Sequence, residues 1–162
     1  MTIKSINEQD YPEVSRIYLN GIATGNATFQ TTAPTWKEWD DSHVEHCRIG
    51  MAEGGKMLGW AALTAVSGRC VYAGVAEVSV YVDEAQRGKG IGKLLLNELI
   101  QQSEAGGIWT LQAGIFPENT GSIKLHQNGG FRIIGYRERI GNMNGVWRNN
   151  LILERRSKIV GL

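Results

Sequence analysis

The residues with the clearest chemistry form one short run, Arg87-Gly88-Lys89-Gly90-Ile91-Gly92, between an apolar strand pattern and an amphipathic helix pattern. A helix N-terminus offers unpaired backbone N–H groups and a partial positive charge, and it binds phosphate where the chain can approach closely. Glycine permits that approach, and Arg87 and Lys89 add two cations that complement a diphosphate. The run therefore predicts a diphosphate-binding loop. The alternative is a glycine-rich turn without a ligand.

Other binding motifs fit this sequence less well. No Gly-Lys-Ser/Thr follows at the spacing of a P-loop, and a dinucleotide fingerprint needs glycines two and five positions apart near the chain start. His43 and His46 lie three apart on a predicted helix, where two histidines can share a metal ion. The sequence offers no third ligand nearby and lacks the HExxH motif, so a solvated helix face is favoured over a metal site. No metal is expected.

Hydrophobic periodicity predicts the elements that position the loop. Val75–Val82 is dense in β-branched residues and predicts a buried strand, whereas Ile91, Leu94, Leu95 and Leu99 predict an amphipathic helix. The other predicted elements are strands at 2–6, 50–53, 56–64, 109–115, 131–139 and 146–154, a helix capped by Asp10, a helix from Thr35 to about Arg48, and a helix at 119–128. This mixture predicts an α/β or α+β fold in a single domain, residues 1–162.

Composition excludes several classes of partner. The 162 residues include 17 basic and 16 acidic side chains, so a net charge of +1 gives no global field to attract nucleic acid or an anionic membrane. No segment has the apolar length of a signal peptide or a membrane span. Cys47 and Cys70 lack the spacing of a disulfide framework or zinc motif and are expected to be reduced thiols. We therefore expect a cytoplasmic protein with a local anion site.

Several ordered segments resemble the GCN5-related N-acetyltransferase (GNAT) superfamily: Glu77–Val82, Gln86–Gly92, Asn119–His126 and Gly130–Phe131. The similarity is strongest to the phosphinothricin and methionine sulfoximine acetyltransferase branch, through Tyr18-x-Asn20, Thr28–Pro34 and Gly145-Val-Trp147. The resemblance spans nearly the whole chain. It implies a single-domain GNAT fold, with a mixed, mostly antiparallel sheet of six to seven strands flanked by about four helices.

The resemblance also implies acetyl-CoA as co-substrate, with its diphosphate on the glycine loop and its pantetheine arm on the backbone of Val80, Tyr81 and Val82. A strand that splays from its neighbour leaves N–H and C=O groups free for an amide-bearing ligand. The three residues also suit ordinary core packing, and both roles are compatible. Asn119 and Ser122 are implied as polar contacts to the CoA arm, although Asn119 equally suits a helix N-cap.

The implied reaction moves an acetyl group to the primary amine of a small molecule by direct attack in a ternary complex. The amine must first lose a proton, so a general base is expected near the strand. Glu77 is the candidate, because a carboxylate buried in an apolar strand takes a proton more readily than one in water. A strand-end carboxylate in solvent is the alternative. His126 is implied either as the acid that protonates the departing thiolate or as a packed helix residue.

The acceptor is implied to be an amino acid or an analogue of the methionine sulfoximine, methionine sulfone or phosphinothricin type. Phe29 and Tyr72 are candidate pocket walls, with ordinary packing as the alternative for Phe29. A carboxylate favours an arginine fork, but Ala73 stands where this branch often has arginine, so Arg69 or Arg148 would have to replace it. A homodimer is also implied. Two other functions stay open, a protein or peptide N-acetyltransferase and a non-catalytic acyl-CoA-binding module.

Overall fold

The computed structural model describes all residues, 1–162, and contains seven strands and four helices in the order the sequence predicts. The strands are β1 (Thr2–Ser5), β2 (Arg48–Glu53), β3 (Lys56–Ala65), β4 (Val75–Val82), β5 (Thr110–Ile115), β6 (Arg132–Met143) and β7 (Val146–Arg156). The helices are α1 (Tyr11–Ala23), α2 (Trp36–Ser42), α3 (Ile91–Ala105) and α4 (Thr120–Asn128). None of these helices has the length and apolar character needed to cross a membrane.

All seven strands form one sheet in the order β1-β2-β3-β4-β5-β7-β6. Neighbouring strands are antiparallel except β4 and β5, which are parallel. The parallel pairing stops after three residues, Val75–Glu77 opposite Thr110–Gln112, although both strands continue. The mixed, mostly antiparallel sheet of the expected fold is therefore confirmed, and it opens in its middle beyond Glu77.

The two faces of the sheet carry separate apolar clusters. On one face, α3 packs through Leu95 and Leu99 into a cluster of 19 buried residues that includes Val78 of β4. On the other face, Ile17 of α1 lies in a smaller cluster with Trp60 of β3. Because side chains alternate along a strand, successive residues of β4 point to opposite clusters.

The start of α1 differs from the prediction. Asp10 occupies the N-cap position of α1 but makes no side-chain cap hydrogen bond to that helix. Its Oδ2 instead accepts a hydrogen bond from the backbone N–H of Asn7 at 3.1 Å, and the Asn7 side chain accepts from Gln9 at 2.9 Å. These bonds form a capping box on the 3-10 turn Glu8–Asp10, which leads directly into α1.

Helix α2 is shorter than predicted. Its capping box is confirmed, since Thr35 Oγ1 accepts from the Glu38 backbone N–H at 3.3 Å and Glu38 accepts from the Thr35 N–H at 2.8 Å. The helix ends at Ser42 rather than near Arg48, because Ser42 Oγ and His43 Nδ1 both bind the carbonyl oxygen of Trp39, a helix-end acceptor. His43 and His46 both lie beyond the end of this helix and therefore do not share a helix face. No group of three or more His, Cys, Asp or Glu side chains is placed to hold a metal ion.

Glycine turns close two hairpins of the sheet, β2–β3 and β6–β7. Gly54 and Gly55 join β2 to β3 with φ of 58° and 81°, which confirms the predicted turn. Asn144 and Gly145 join β6 to β7 with φ of 52° and 84°. The second hairpin is longer than predicted, because register shifts in β6 let residues 141–143 continue the pairing with β7.

Candidate active site

A cleft with a volume of about 1210 Å³ opens where β4 and β5 part. The cleft is lined by residues 77–82 of β4, residues 113–115 of β5, the glycine loop, the start of α4 and the loop after α1. Most of the candidate residues lie on it: Phe29, Glu77, Val80, Tyr81, Val82, Arg87, Gly88, Gly90, Ile91, Gly92, Asn119, Ser122 and His126. The fold therefore brings the candidate cofactor-binding and catalytic groups onto one cavity.

The glycine loop is shaped to admit an anion. Gly88 and Gly90 have φ of 77° and 79°, and a Cβ on either residue would meet no atom within 4 Å. Helix α3 begins at Ile91 without a side-chain cap, so its first N–H groups are available to a ligand. At Gly92 a Cβ would lie 3.3 Å from Leu125, so this glycine lets α4 approach α3 closely. Backbone donors, open space and a helix N-terminus fit a diphosphate.

The cations at the loop are only partly those that the sequence predicted. Arg87 lines the cleft, but Lys89 does not, because its Nζ donates a hydrogen bond to Gln86 Oε1 at 3.1 Å. Lys93, in the first turn of α3, lines the cleft instead and was not predicted. Its position three residues after Gly90 is the signal that could have identified it, since the first turn of a helix surrounds the free N–H groups.

The edge of β4 is open on the side of the cleft. Val80, Tyr81 and Val82 pair with β3 on their other side, and the ladder to β5 has already ended at Glu77. Their remaining backbone groups can therefore bind an amide-bearing ligand by strand addition. The Tyr81 ring stacks on Trp60 with centroids 4.9 Å apart, and burial raises the pKa of its hydroxyl well above the usual range. The Tyr81 hydroxyl is therefore protonated at neutral pH.

Glu77 lies at the point where the two strands separate. Its Oε2 accepts a hydrogen bond from Gln112 Nε2 at 3.3 Å, across the last pair of the parallel ladder. The side chain is exposed, so the expectation of burial was wrong. The reason is that β4 and β5 diverge here and open the carboxylate to the cleft. Glu77 can therefore exchange a proton with a ligand directly or through water.

His126 is buried, with 4% of its surface exposed. Its Nδ1 lies 2.7 Å from the carbonyl oxygen of Ser122, and since a carbonyl only accepts, Nδ1 carries the proton. Burial lowers the pKa of His126, with partial compensation from this bond, so the ring is neutral at pH 7. Nε2 is then an acceptor that is buried without a partner. An imidazole in this state can accept a hydrogen bond at Nε2 but is not a proton donor there.

Asn119 has two structural hydrogen bonds. Its Oδ1 accepts from the Ser122 backbone N–H at 3.2 Å, which shows the N-cap geometry that the sequence left as an alternative. Its Nδ2 donates to the carbonyl oxygen of Asn26 at 3.1 Å. Asn119 and Ser122 both line the cleft, so these bonds hold the loop after α1 against the start of α4.

Only one of the four candidate acceptor-binding residues lines the cleft. Phe29 lines the cleft and packs edge-on against Phe116 at 4.7 Å, over Gly141, whose lack of a Cβ makes room for the ring. Arg69 and Tyr72 do not line the cleft. The 3-10 turn before β4 leaves both exposed, with the Arg69 guanidinium 5.7 Å from the Tyr72 ring centroid.

Arg148, the other candidate to replace the missing arginine, holds the loop after α1. Its guanidinium donates to the Gly25 carbonyl oxygen at 2.9 Å and to Asn26 Oδ1 at 2.7 Å, and it lies 4.1 Å from the Phe116 ring centroid. Arg137 of β6 lines the cleft and was missed by the sequence. No local pattern identifies it, because its position depends on strand register.

Comparison with known proteins gives consistent matches over most of the chain. Residues 8–131 match the model of the Acetyltransferase (GNAT) family. The YwnH protein of Bacillus subtilis (strain 168), provisionally named a phosphinothricin acetyltransferase, is 36% identical over 150 residues, which cover 90% of this chain and 92% of that protein. An L-methionine sulfoximine/L-methionine sulfone acetyltransferase of Pseudomonas paraeruginosa (strain DSM 24068 / PA7) is 30% identical over 152 residues, which cover 90% of this chain and 88% of that protein.

The fold agrees with a solved structure that contains the cofactor. The structure is of a GNAT superfamily phosphinothricin acetyltransferase from Sinorhizobium meliloti in complex with AcCoA. It has a TM-score of 0.87 and 27% identity to this chain, and the match covers 99% of this chain and 90% of that one. The chain belongs to the GNAT family and is an acetyl-CoA-dependent N-acetyltransferase.

Proposed function

We propose that this enzyme transfers the acetyl group of acetyl-CoA to the primary amine of a small amino acid or amino-acid analogue, of the methionine sulfoximine, methionine sulfone or phosphinothricin type. One observation carries the proposal. The open edge of β4 and the glycine loop share a single cleft with Glu77, which lies where an amine reaching that edge can meet it. The names of the relatives support the amino-acid class of acceptor.

The cofactor end of the cleft positions the acyl donor through backbone groups. The first N–H groups of α3, with Arg87 and Lys93 beside them, bind the diphosphate, and Val80–Val82 bind the pantetheine amides. Acetyl-CoA supplies an activated acyl group on a thiolate leaving group. These contacts hold the thioester beside the open edge of β4. The reaction then requires only that the amine of the acceptor bind next to the thioester.

Glu77 acts as the general base of the transfer. The amine nitrogen forms a bond to the acyl carbon, the carbon–sulfur bond breaks, and the proton of the amine passes to Glu77 directly or through water. Gln112 holds one carboxylate oxygen at 3.3 Å, which orients the other toward the cleft. The departing thiolate takes up a second proton, which the attacking nitrogen releases as the amide forms and which reaches the sulfur through water. His126 is neutral and its proton lies on Nδ1 in the hydrogen bond to Ser122, so His126 does not supply that proton.

The covering of the acceptor end favours a small acceptor over a protein. The loop after α1 is tied to α4 through Asn119 and to β7 through Arg148, and it carries Phe29 onto the cleft wall. A loop fixed on both sides restricts the space beside Glu77. A flexible peptide would need an open groove at this position.

We also propose that two copies associate through the β6–β7 hairpin. Ile133, Tyr136 and Trp147 are exposed there by 45%, 57% and 54%. Large apolar side chains concentrated on one surface are typical of a protein–protein contact. A second copy that covers this hairpin gives the homodimer expected from the family resemblance. Sedimentation at several protein concentrations tests it, and a monomer at all of them would contradict it.

The test of function is a screen for thiol release with acetyl-CoA as donor. The panel contains amino acids, methionine sulfoximine, methionine sulfone and phosphinothricin, with polyamines and peptides as controls. We expect CoA release with members of the first group and little with the controls. Release only with peptides would favour a peptide N-acetyltransferase, and binding of acetyl-CoA without release by any amine would favour a non-catalytic acyl-CoA-binding module.

A further inference from the structure

The acceptor end of the cleft contains one free cation. The lysine and arginine residues that line the cleft are Arg87, Lys93 and Arg137. The first two belong to the diphosphate end, beside the N-terminus of α3. Arg137 projects from β6, is exposed, and forms neither an ion pair nor a side-chain hydrogen bond. An arginine that lines a cleft without a partner can bind an oxyanion through its planar fork.

The register of the sheet places Arg137 on the same face as Glu77. Glu77 pairs with Gln112, and Gln112 pairs with Glu154 of β7, so these three side chains point to one face. Asn150, four residues before Glu154, points to that face as well, and it pairs with Arg137. Glu77 and Arg137 therefore lie on the same face of the sheet, which the loop after α1 covers.

Other cations that could bind an anionic group of the acceptor are absent from the site. Ala73, just before β4, carries no charge and does not line the cleft. Arg69 lies outside the cleft, and Arg148 is engaged by Gly25 and Asn26. Building on the proposed function, we propose that Arg137 binds an anionic group of the acceptor, at the end remote from the reacting amine.

The separation of Glu77 and Arg137 sets the class of acceptor. Three interstrand steps of about 4.8 Å give ~14 Å across the sheet, and the four-residue offset adds ~13 Å along the strands. Because side chains stand roughly perpendicular to a sheet, Glu77 and Arg137 close only part of this separation, and the gap that remains exceeds the reach of one α-carboxylate next to its own amine. The ligand predicted for this subsite is therefore an amine with a carboxylate or other oxyanion several bonds away, such as an amino acid with an acidic side chain.

The test compares L-glutamate with L-glutamine, which match in size and differ in side-chain charge. The wild-type enzyme should have the higher kcat/KM for glutamate. In Arg137→Gln the ratio of kcat/KM for glutamate to kcat/KM for glutamine should fall about tenfold. This is the low end of the effect of losing a charge-assisted hydrogen bond, because Arg137 is exposed to water. The fall should come from KM. Arg139→Gln is the control, since it removes the same charge from β6 outside the cleft.

Binding is measured separately, by calorimetry on the CoA-loaded protein. Glutamate binding that depends on Arg137, without turnover of any amine, would support this subsite and overturn the proposed function. A wild-type protein that distinguishes the two acceptors neither in turnover nor in binding would overturn the subsite. Equal changes of the ratio in Arg137→Gln and Arg139→Gln would overturn it as well. Arg137→Glu provides a further check, because it should shift the preference from glutamate toward L-lysine.

Discussion

Replacing Glu77 with glutamine removes the charge and the proton affinity of the carboxylate while keeping its size. The glutamine oxygen can still accept the hydrogen bond from Gln112 Nε2, which lies 3.3 Å from Glu77 Oε2, so the side chain keeps its position. Glu77 is exposed on the cleft, so the free energy of unfolding should change little. A loss of rate in Glu77→Gln therefore reports on proton transfer.

The expected magnitude follows from the exposure of this residue. A positioned general base contributes about 10²–10⁴ in rate. Because Glu77 is open to water, solvent replaces part of its action, and we expect the lower end, about 100-fold in kcat/KM at neutral pH, or ~2.7 kcal/mol. Without the base only the neutral amine reacts. The rate of the variant should then rise about tenfold per pH unit until the pKa of the amine is reached.

The assay is thiol release at saturating acetyl-CoA, with kcat/KM for the amine measured from neutral to alkaline pH. Glu138→Gln serves as the control, because it changes the same charge at an exposed site of β6 outside the cleft. The deficit of Glu77→Gln should shrink as the pH rises. If its kcat/KM stays within about twofold of wild type with the same pH slope, Glu77 is not the base.

Two further substitutions test the cofactor loop and the buried histidine. Gly90→Ala forces a φ of 79° on a residue with a Cβ, at a cost of about 1–2 kcal/mol. This substitution should raise the KM for acetyl-CoA about tenfold. Gly54→Ala, at a residue with φ of 58° outside the cleft, is the control and should leave this KM unchanged. Burial lowers the pKa of His126 below its ordinary value of 6.5, so the unfolded chain binds a proton at this residue more readily than the folded chain does. The free energy of unfolding should therefore fall as the pH drops below 6.5. His126→Gln should flatten this fall in thermal unfolding, and equal slopes in both proteins would contradict the burial argument.

The strand, loop and helix at the cofactor end could be predicted because each depends on neighbours in sequence. The β-branched run at Val75–Val82 forms β4 with the predicted bounds. Gly88 and Gly90 take the left-handed conformation that favours glycine, and α3 begins at Ile91 directly after them. Local conformational preference decides all three, so the sequence carries the information without knowledge of the tertiary contacts.

The features that the sequence missed depend on contacts between distant residues. The sequence places Lys89 in the loop, but the left-handed turn at Gly90 leaves it on Gln86 and puts Lys93 on the cleft. Glu77 has the residue type of a buried base, but its exposure follows from the divergence of β4 and β5. Arg137 faces the cleft through the register of β6 on β7, which no local pattern sets.

The two ends of the cleft are built from different kinds of group, and this difference bears on specificity. The cofactor end relies on backbone N–H groups and glycines, which any relative with the same loop can supply. The acceptor end relies on individual side chains: Phe29, on a loop that Asn119 holds through Asn26, and Arg137 of β6. A single substitution outside those glycines leaves a backbone cradle intact, whereas a single substitution in a side-chain pocket changes what the pocket binds. Enzymes that share the donor can therefore differ in the acceptor, and the acceptor of this enzyme is decided at those few positions.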